Sequence, residues 1–506
     1  MLAGRAEPAD GDRLVYASAR GRWVLTATVL GSAMASIDAT VVGIALPAIG
    51  RDFGAGLATL QWVVTGYTLT LASLLLVGGA LGDRYGRRRV FLTGVVWFAL
   101  ASALCGAATG PGVLIAARAL QGVGAALLTP GSLAILEASF ADGDRGRAIG
   151  AWSGLSGVAT AIGPFVGGWL VQAVSWRLIF AINLPLAALV VAVTLRHVPE
   201  SHDREATGRI DAAGAVLITA GLAGLTFGLI EGPADGWTSP VVAAAVIGAV
   251  LLLAAFVQRE RRAATPLLPL SLFGSMQFTA ANIVTFVLYG ALGGALFLLP
   301  IQLQQVSGYS PVEAGVSLLP VTVLMLVLSA RSGALAARIG PRPQMSVGPV
   351  LVGAGLALLA RVGHGGDYLT EVLPAVLVFG FGLAVTVAPL TTTALSAAPA
   401  RFAGMASAVN NDVARAGGLI AVAVLPAAAG ITGSAYLHPD QFSAGFRTAC
   451  LICAGLCVLS GLLAAATIRN PVREEPAGPG APRLHCGLDA PPPRPGGGAG
   501  SGTGSD

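Results

Sequence analysis

The sequence predicts an all-α integral membrane protein, and three observations carry that prediction. The chain of 506 residues is 55% hydrophobic and 11% charged, with a mean hydropathy of +0.76. An ordinary soluble domain carries about a quarter charged residues, and a soluble chain this long would divide into several domains. Here the apolar residues instead recur in segments of bilayer length, which takes ~20 residues of helix. The basic residues, all arginine, collect in the loops of one side far more than the other.

Taken in order, the apolar segments fall near 23–46, 60–81, 90–109, 112–136, 148–171 and 176–195. A pair follows near 211–230 and 239–257, then six more near 278–301, 313–334, 344–361, 371–396, 404–430 and 446–467. That makes fourteen spans, an even number, so both termini share a side. Arginine placement fixes which side. Loops on the Arg84 side hold Arg84, Arg87, Arg88, Arg89, Arg145, Arg147, Arg196, Arg204, Arg209, Arg259, Arg261, Arg262, Arg338, Arg342 and Arg401. The opposite loops hold Arg51, Arg177, Arg361 and Arg447, fifteen against four. The Arg84 side and both termini are therefore expected to be cytoplasmic, in a multi-pass protein of the cell membrane. The net charge of +5 reports this orientation and gives no ground for a nucleic-acid partner. No cleavable signal is expected, because the first span is too long for the apolar core of one.

Between spans 2 and 3 runs Gly79-Ala-Leu-Gly-Asp83-Arg84-Tyr-Gly86-Arg87-Arg88-Arg89, with five charges in its last seven residues. Such a run cannot enter lipid, and Gly86 permits a tight reversal. Parts of the chain repeat. Arg84-Tyr-Gly86-Arg-Arg88 returns as Arg338-Ile-Gly340-Pro-Arg342, and Arg147-Ala-Ile-Gly150 as Arg401-Phe-Ala-Gly404. Each pair occupies the equivalent loop if spans 1–6 and 9–14 are repeats, with spans 7–8 inserted between them. Asp83 has no counterpart, since Ala337 stands at its place.

Few polar residues lie deep in the spans. Asp38 is about 15 residues from Trp23, or ~22 Å along a helix; a carboxylate there is a functional candidate unless a structural hydrogen bond accounts for it. Arg118 stands ~9 Å into span 4 from the other end, at a depth where it could pair with Asp38, or else snorkel outward. An arginine partner favours the ionised carboxylate, whereas dehydration and loss of the pair favour the protonated one. A group that moves between those environments can carry protons. Gly163-Pro164 and Gly167-Gly168 fall in span 5, where small residues let helices approach closely and proline bends the span. Asp412 and Arg415 are three apart in span 13 and can pair on one face; local neutralisation and a place in a cavity or gate both remain open. Cys450, Cys453 and Cys457 share a face of span 14 without a histidine, and are expected to be apolar filler, not a metal site. A chain without lysine has no Walker-type phosphate loop.

The loop Gly79, Asp83, Arg84, Gly86, Arg87, Arg88 resembles the signature of the major facilitator superfamily between its second and third spans. Asp38, Thr40, Val42, Ala45, Leu46 and Pro47 are similar to the first-span pattern of its fourteen-span drug:proton antiporters. Gly163, Pro164, Gly167 and Gly168 resemble the antiporter motif of the fifth span, with Ala159 in place of its first glycine. Trp176-Arg177-x-x-Phe180-x-x-Asn183-x-Pro185 and Gln61-Trp62 to Tyr67 resemble further segments of the same antiporters, of the EmrB/QacA kind. This resemblance implies two six-helix bundles plus a two-helix insertion. With the spans above, the chain divides into an N-terminal segment (1–22), a bundle (23–200), a linker with helices 7–8 (201–265), a second bundle (266–470) and a Pro- and Gly-rich tail (471–506) expected to be disordered. The resemblance also implies proton-coupled efflux of small lipophilic drugs, antibiotics or secondary metabolites by a monomer. Asp38 and Arg118 would carry coupling, the Asp83 loop would be a conformational latch, and Trp62, Tyr67, Asn183, Asp412 and Arg415 would line a cavity or gate. No cofactor is expected beyond the proton gradient. Uptake symport of a nutrient is the alternative, and a membrane sensor or enzyme a more distant one; no catalytic constellation of residues supports an enzyme.

Overall fold

Thirteen helices among the described residues are long and apolar enough to cross a membrane. The first eight are α1 (Ala19–Phe53), α2 (Leu57–Tyr85), α3 (Arg87–Gly106), α4 (Pro111–Ser139), α5 (Asp142–Ala173), α6 (Leu178–His197), α7 (Ala212–Asp235) and α8 (Pro240–Arg262). After them come α9 (Met276–Val306) and α10 (Pro311–Ile339), then a helix outside the thirteen, α11 (Pro341–Leu359). The last three are α12 (Tyr368–Ser396), α13 (Gly404–Ala428) and α14 (Pro439–Thr467). The polar first turn of α11, Pro341-Arg342-Pro343-Gln344, dilutes its apolarity. The expected span 344–361 is thus a helix, but a less apolar one than the rest.

The computed structural model describes residues 13–203, 211–263, 266–399 and 402–470. The tail expected at 471–506 lies outside them, as do residues 1–12 of the N-terminal segment and 204–210 of the linker. The helices all belong to the unit that ends at Arg469. No strand occurs among the described residues; one isolated bridge ties Leu14 to Phe140.

Local chemistry sets the helix ends beyond the apolar stretches. Ser18 caps α1, its hydroxyl accepting from the Gly21 N–H at 3.0 Å, and Gly54 ends it with φ of 58°. The helix therefore exceeds its expected apolar core of 23–46 at both ends. A Ser310–Glu313 capping box opens α10, and Asp211 caps α7. Gly86 alone separates α2 from α3, and Gly340 alone separates α10 from α11, with φ of 108° and 86°. Both are values that favour glycine.

Packing among α1–α6 pairs α1 with α5 and α6, α4 with α2 and α3, and α3 with α6. Among α9–α14 the pairs are α9 with α13 and α14, α12 with α10 and α11, and α11 with α14. Across the two sets α5 meets α10, α2 meets α13 and α1 meets α9. The joins lie on the face away from Arg84. There Gln61 Nε2 donates to the carbonyls of Val422 (2.6 Å) and Ala423 (3.1 Å), and Gln304 Nε2 to that of Ile44 (2.9 Å). Val312 N also donates to Gln172 Oε1 at 3.4 Å. Toward the Arg84 face, a Cβ placed on Gly150, Gly154 or Gly157 of α5 would meet open space.

Candidate functional site

Asp38 sits near the middle of α1, deeper than its distance from Trp23 alone implied, because α1 runs from Ala19 to Phe53. It is 1% exposed, as is Arg118. The two form an ion pair, Arg118 Nη1 to Asp38 Oδ2 at 2.5 Å. A charge pair is stable in such a place only when the remaining donors and lone pairs are also met. Arg118 Nε donates to the Val63 carbonyl of α2 at 3.1 Å, and Nη1 also to Gln121 Oε1 at 2.6 Å. The guanidinium lies 4.3 Å from the ring centre of Tyr67 and 5.8 Å from that of Phe180, which supplies cation–π attraction in place of water.

The other carboxylate oxygen is held by two amides. Gln121 Nε2 donates to Asp38 Oδ1 at 2.8 Å and Asn183 Nδ2 to the same atom at 3.3 Å. Ser102 Oγ receives both amides as well, at 2.8 Å from Gln121 and 2.9 Å from Asn183. Side chains of α4 and α6 thus meet on the Asp38 carboxylate of α1, Ser102 of α3 ties their two amides together, and α2 closes the arrangement with Val63 and Tyr67. Asn183 is wholly buried in this network, away from the cavity or gate position expected for it. Its Oδ1 has no hydrogen-bond partner. The sequence alone does not mark Gln121 or Ser102. Gln121 follows Arg118 by three residues on α4, and that helical spacing is the one signal that could have found it.

The remaining motif residues have separate tasks. Asp83 Oδ1 accepts from Arg87 Nε and Nη2 at 3.0 and 2.9 Å, one turn on and across Gly86. The segment after α6 straps this loop: Arg87 N donates to the Ser201 carbonyl, Asp203 N to the Asp83 carbonyl, and Arg88 N to Glu200 Oε1. Arg88 reaches the Leu195 carbonyl at 2.7 Å, and Arg84 lies 5.5 Å from the ring centre of Tyr85. Gly79 faces Pro130 of α4. Trp176 and Arg177 both donate to Asp52 Oδ2, at 3.0 and 2.8 Å, which fixes the start of α6 to the end of α1.

In α5, Gly163 and Gly167 abut Thr40 and Val41 of α1, while Gly168 abuts the backbone of Pro311 in α10. Gly315 of α10 returns the contact against the Pro164 carbonyl. Trp62 Nε1 donates to Glu231 Oε1 of α7 at 2.8 Å, so this residue ties α2 to α7. On α13, Asp412 Oδ1 and Arg415 Nε are each buried without a hydrogen-bond partner, although the spacing puts both on one face. Their neighbour Asn410 donates to Asn282 and Thr285 of α9 at 3.1 and 2.9 Å. Among the described residues no cluster of three or more metal-ligating side chains occurs.

The family model described as Major Facilitator Superfamily matches residues 28–423. The chain is 39% identical over 427 residues to the Tetracenomycin C resistance and export protein of Streptomyces glaucescens, covering 83% of this chain and 78% of that protein. It is 38% identical over 409 residues to the Methylenomycin A resistance protein of Bacillus subtilis (strain 168), covering 80% and 87%. Its fold is similar to the crystal structure of the peptide transporter POT, with a TM-score of 0.66 at 15% identity, covering 90% of this chain and 95% of that one.

Proposed function

We propose, for a chain that belongs to the Major Facilitator Superfamily, that it exports small lipophilic antibiotics or related metabolites across the cell membrane in exchange for protons. It is a transporter, not an enzyme. Its similarity to proteins named for tetracenomycin C export and methylenomycin A resistance supports efflux. The observation that carries proton coupling is the buried Asp38 carboxylate with Arg118, Gln121 and Asn183 around it.

The architecture behind this reading is fourteen spans arranged as two six-helix bundles and an inserted pair. The packing supports it: α1–α5, α2–α4, α3–α4, α3–α6 and α1–α6 recur, eight helices on, as α9–α13, α10–α12, α11–α12, α11–α14 and α9–α14. The inter-bundle contacts obey the same shift, α2–α13 matching α10–α5. With the Arg84 face and both termini cytoplasmic, this conformation is closed outside and open toward the cytoplasm. Asp83 then pairs within its own loop. When the inner face closes, it turns to the positive end of α13, where a helix N-terminus attracts a carboxylate.

Coupling follows from one carboxylate with two sets of partners. In the inward-open form Arg118 and two amide donors stabilise ionised Asp38, so a proton is released to the cytoplasm. Transition to the outward-open form separates Arg118 from Asp38, which takes up a proton from outside. The unfilled Asn183 Oδ1, after an amide flip, accepts from the protonated acid. Inward proton flow supplies ~1.4 kcal/mol per pH unit, plus ~2.3 kcal/mol per 100 mV when net charge moves. Substrate binds between the bundles, near Asp412 and Arg415 of α13, whose Oδ1 and Nε have no hydrogen-bond partner. Expression in a drug-sensitive strain tests the reading. Resistance to tetracenomycin C or methylenomycin A should rise with reduced cell accumulation, and lose its advantage when a protonophore is added. Unchanged accumulation of a panel of such compounds would reject export.

A further inference from the structure

Gln61 and Trp62 are adjacent on α2, yet their side chains hold different helices. Gln61 clips α13 through two carbonyls, and Trp62 donates to Glu231 of α7. The Trp62 ring also lies 6.3 Å from that of Phe227, one turn before Glu231. α7 packs against both α2 and α13 and so lies over the seam where they meet. The two attachments differ in kind. Toward α2 there is a directed bond from an indole N–H to a carboxylate, which fixes orientation. Toward α13 the structure has packing alone among the described residues.

We infer that Glu231 is a positioning residue that anchors the α7–α8 pair to α2 through Trp62, so that the pair travels with α1–α6 while α13 slides beneath it. This rests on the alternating-access reading and goes beyond it by giving the inserted pair a task. When the outer face opens, Gln61 must release Val422 and Ala423, and α2 and α13 part. A helix held to both could not follow both. Anchored to α2, α7 keeps the seam covered against lipid through the cycle. The pseudo-symmetric seam between α5 and α10 has no inserted pair over it, so the two seams present different surfaces to the bilayer.

The test uses the full chain in lipid nanodiscs, with native cysteines replaced and spin labels at Gly56→Cys (α2 end), Asp235→Cys (α7 end) and Ala428→Cys (α13 end). Distances between pairs of labels are measured at acid and alkaline pH. The expected result is an α2–α7 distance that stays fixed while α7–α13 and α2–α13 change together. Glu231→Leu and Trp62→Phe should each raise the population of a detached α7 about tenfold or more, the worth of one hydrogen bond to a charged group. Glu231→Gln keeps the acceptor and should leave α7 attached. The double variant should be no worse than either single one. A fixed α7–α13 distance with a changing α2–α7 distance would overturn the proposal while leaving alternating access intact. Three unchanged distances would remove the sliding together with alternating access. Attachment of α7 that survives Glu231→Leu would remove Glu231 as the anchor.

Discussion

Replacing Gly168 by alanine should bias the protein toward opening on its outer face. A Cβ there would stand 2.8 Å from the Pro311 carbonyl carbon and 2.9 Å from Val312 Cα, inside ordinary van der Waals contact. Both neighbours are backbone atoms at the start of α10, so neither can turn aside as a side chain would. Adding one methyl group to such a contact costs ~1–3 kcal/mol. The cost falls only on the form in which α5 and α10 touch. The ratio of outer-open to outer-closed molecules should therefore rise by roughly 5- to 150-fold. Spin labels at Gly56→Cys and Ala428→Cys report the outer gap directly. Gly154→Ala is the control, because its Cβ would meet nothing within 4 Å on the same helix. An outer gap unchanged by Gly168→Ala, or changed equally by Gly154→Ala, would refute the argument that this glycine permits outer closure.

Three further outcomes are expected. Gln121→Leu keeps volume but removes a donor from Asp38 and another from Ser102. Losing one hydrogen bond to a charged group costs about 1.5–3 kcal/mol, so initial export rates normalised to membrane abundance should fall at least tenfold; rates equal to the parent would exclude a part in coupling. Asp83→Asn should slow transport with abundance near normal, and full activity in that variant would remove the latch. For topology, single cysteines at Asp235 and Asp440 should react with an impermeant maleimide on intact cells, and those at His202 and Arg261 should not. The reverse pattern would invert the orientation.

Charge made much of this molecule legible in its sequence. Asp38 and Arg118 stand out because ionisable residues are rare in apolar spans, and their depths can be counted along a helix. The apolar helices stood out by the same contrast, with α11 the weakest because it begins with the polar turn Pro341-Arg342-Pro343-Gln344. Neutral polar residues gave no such contrast. Gln121, Ser102 and Asn183 lie on three helices, and nothing in a linear sequence says that the two amides converge on one carboxylate and share the Ser102 hydroxyl. Conformation was equally hidden. The loop signature named Asp83, but only geometry places it on Arg87 in the present state, with α5 and α10 joined at the opposite end. The family pattern around Trp62 suggests a cavity residue, whereas its bond to Glu231 depends on where α7 packs.

Asp38 is the centre of the account, and substrate-driven proton movement in sealed proteoliposomes tests it most directly. With only a pH difference imposed, the parent should accumulate substrate against its gradient and move protons in the opposite direction. Asp38→Asn preserves size and some hydrogen bonding but cannot exchange a proton near neutral pH. It should bind substrate and permit exchange down a gradient, yet show neither uphill accumulation nor substrate-dependent proton release. Uphill accumulation by Asp38→Asn under the pH difference alone would contradict the assignment and move coupling to another carboxylate, with Asp412 the next to examine.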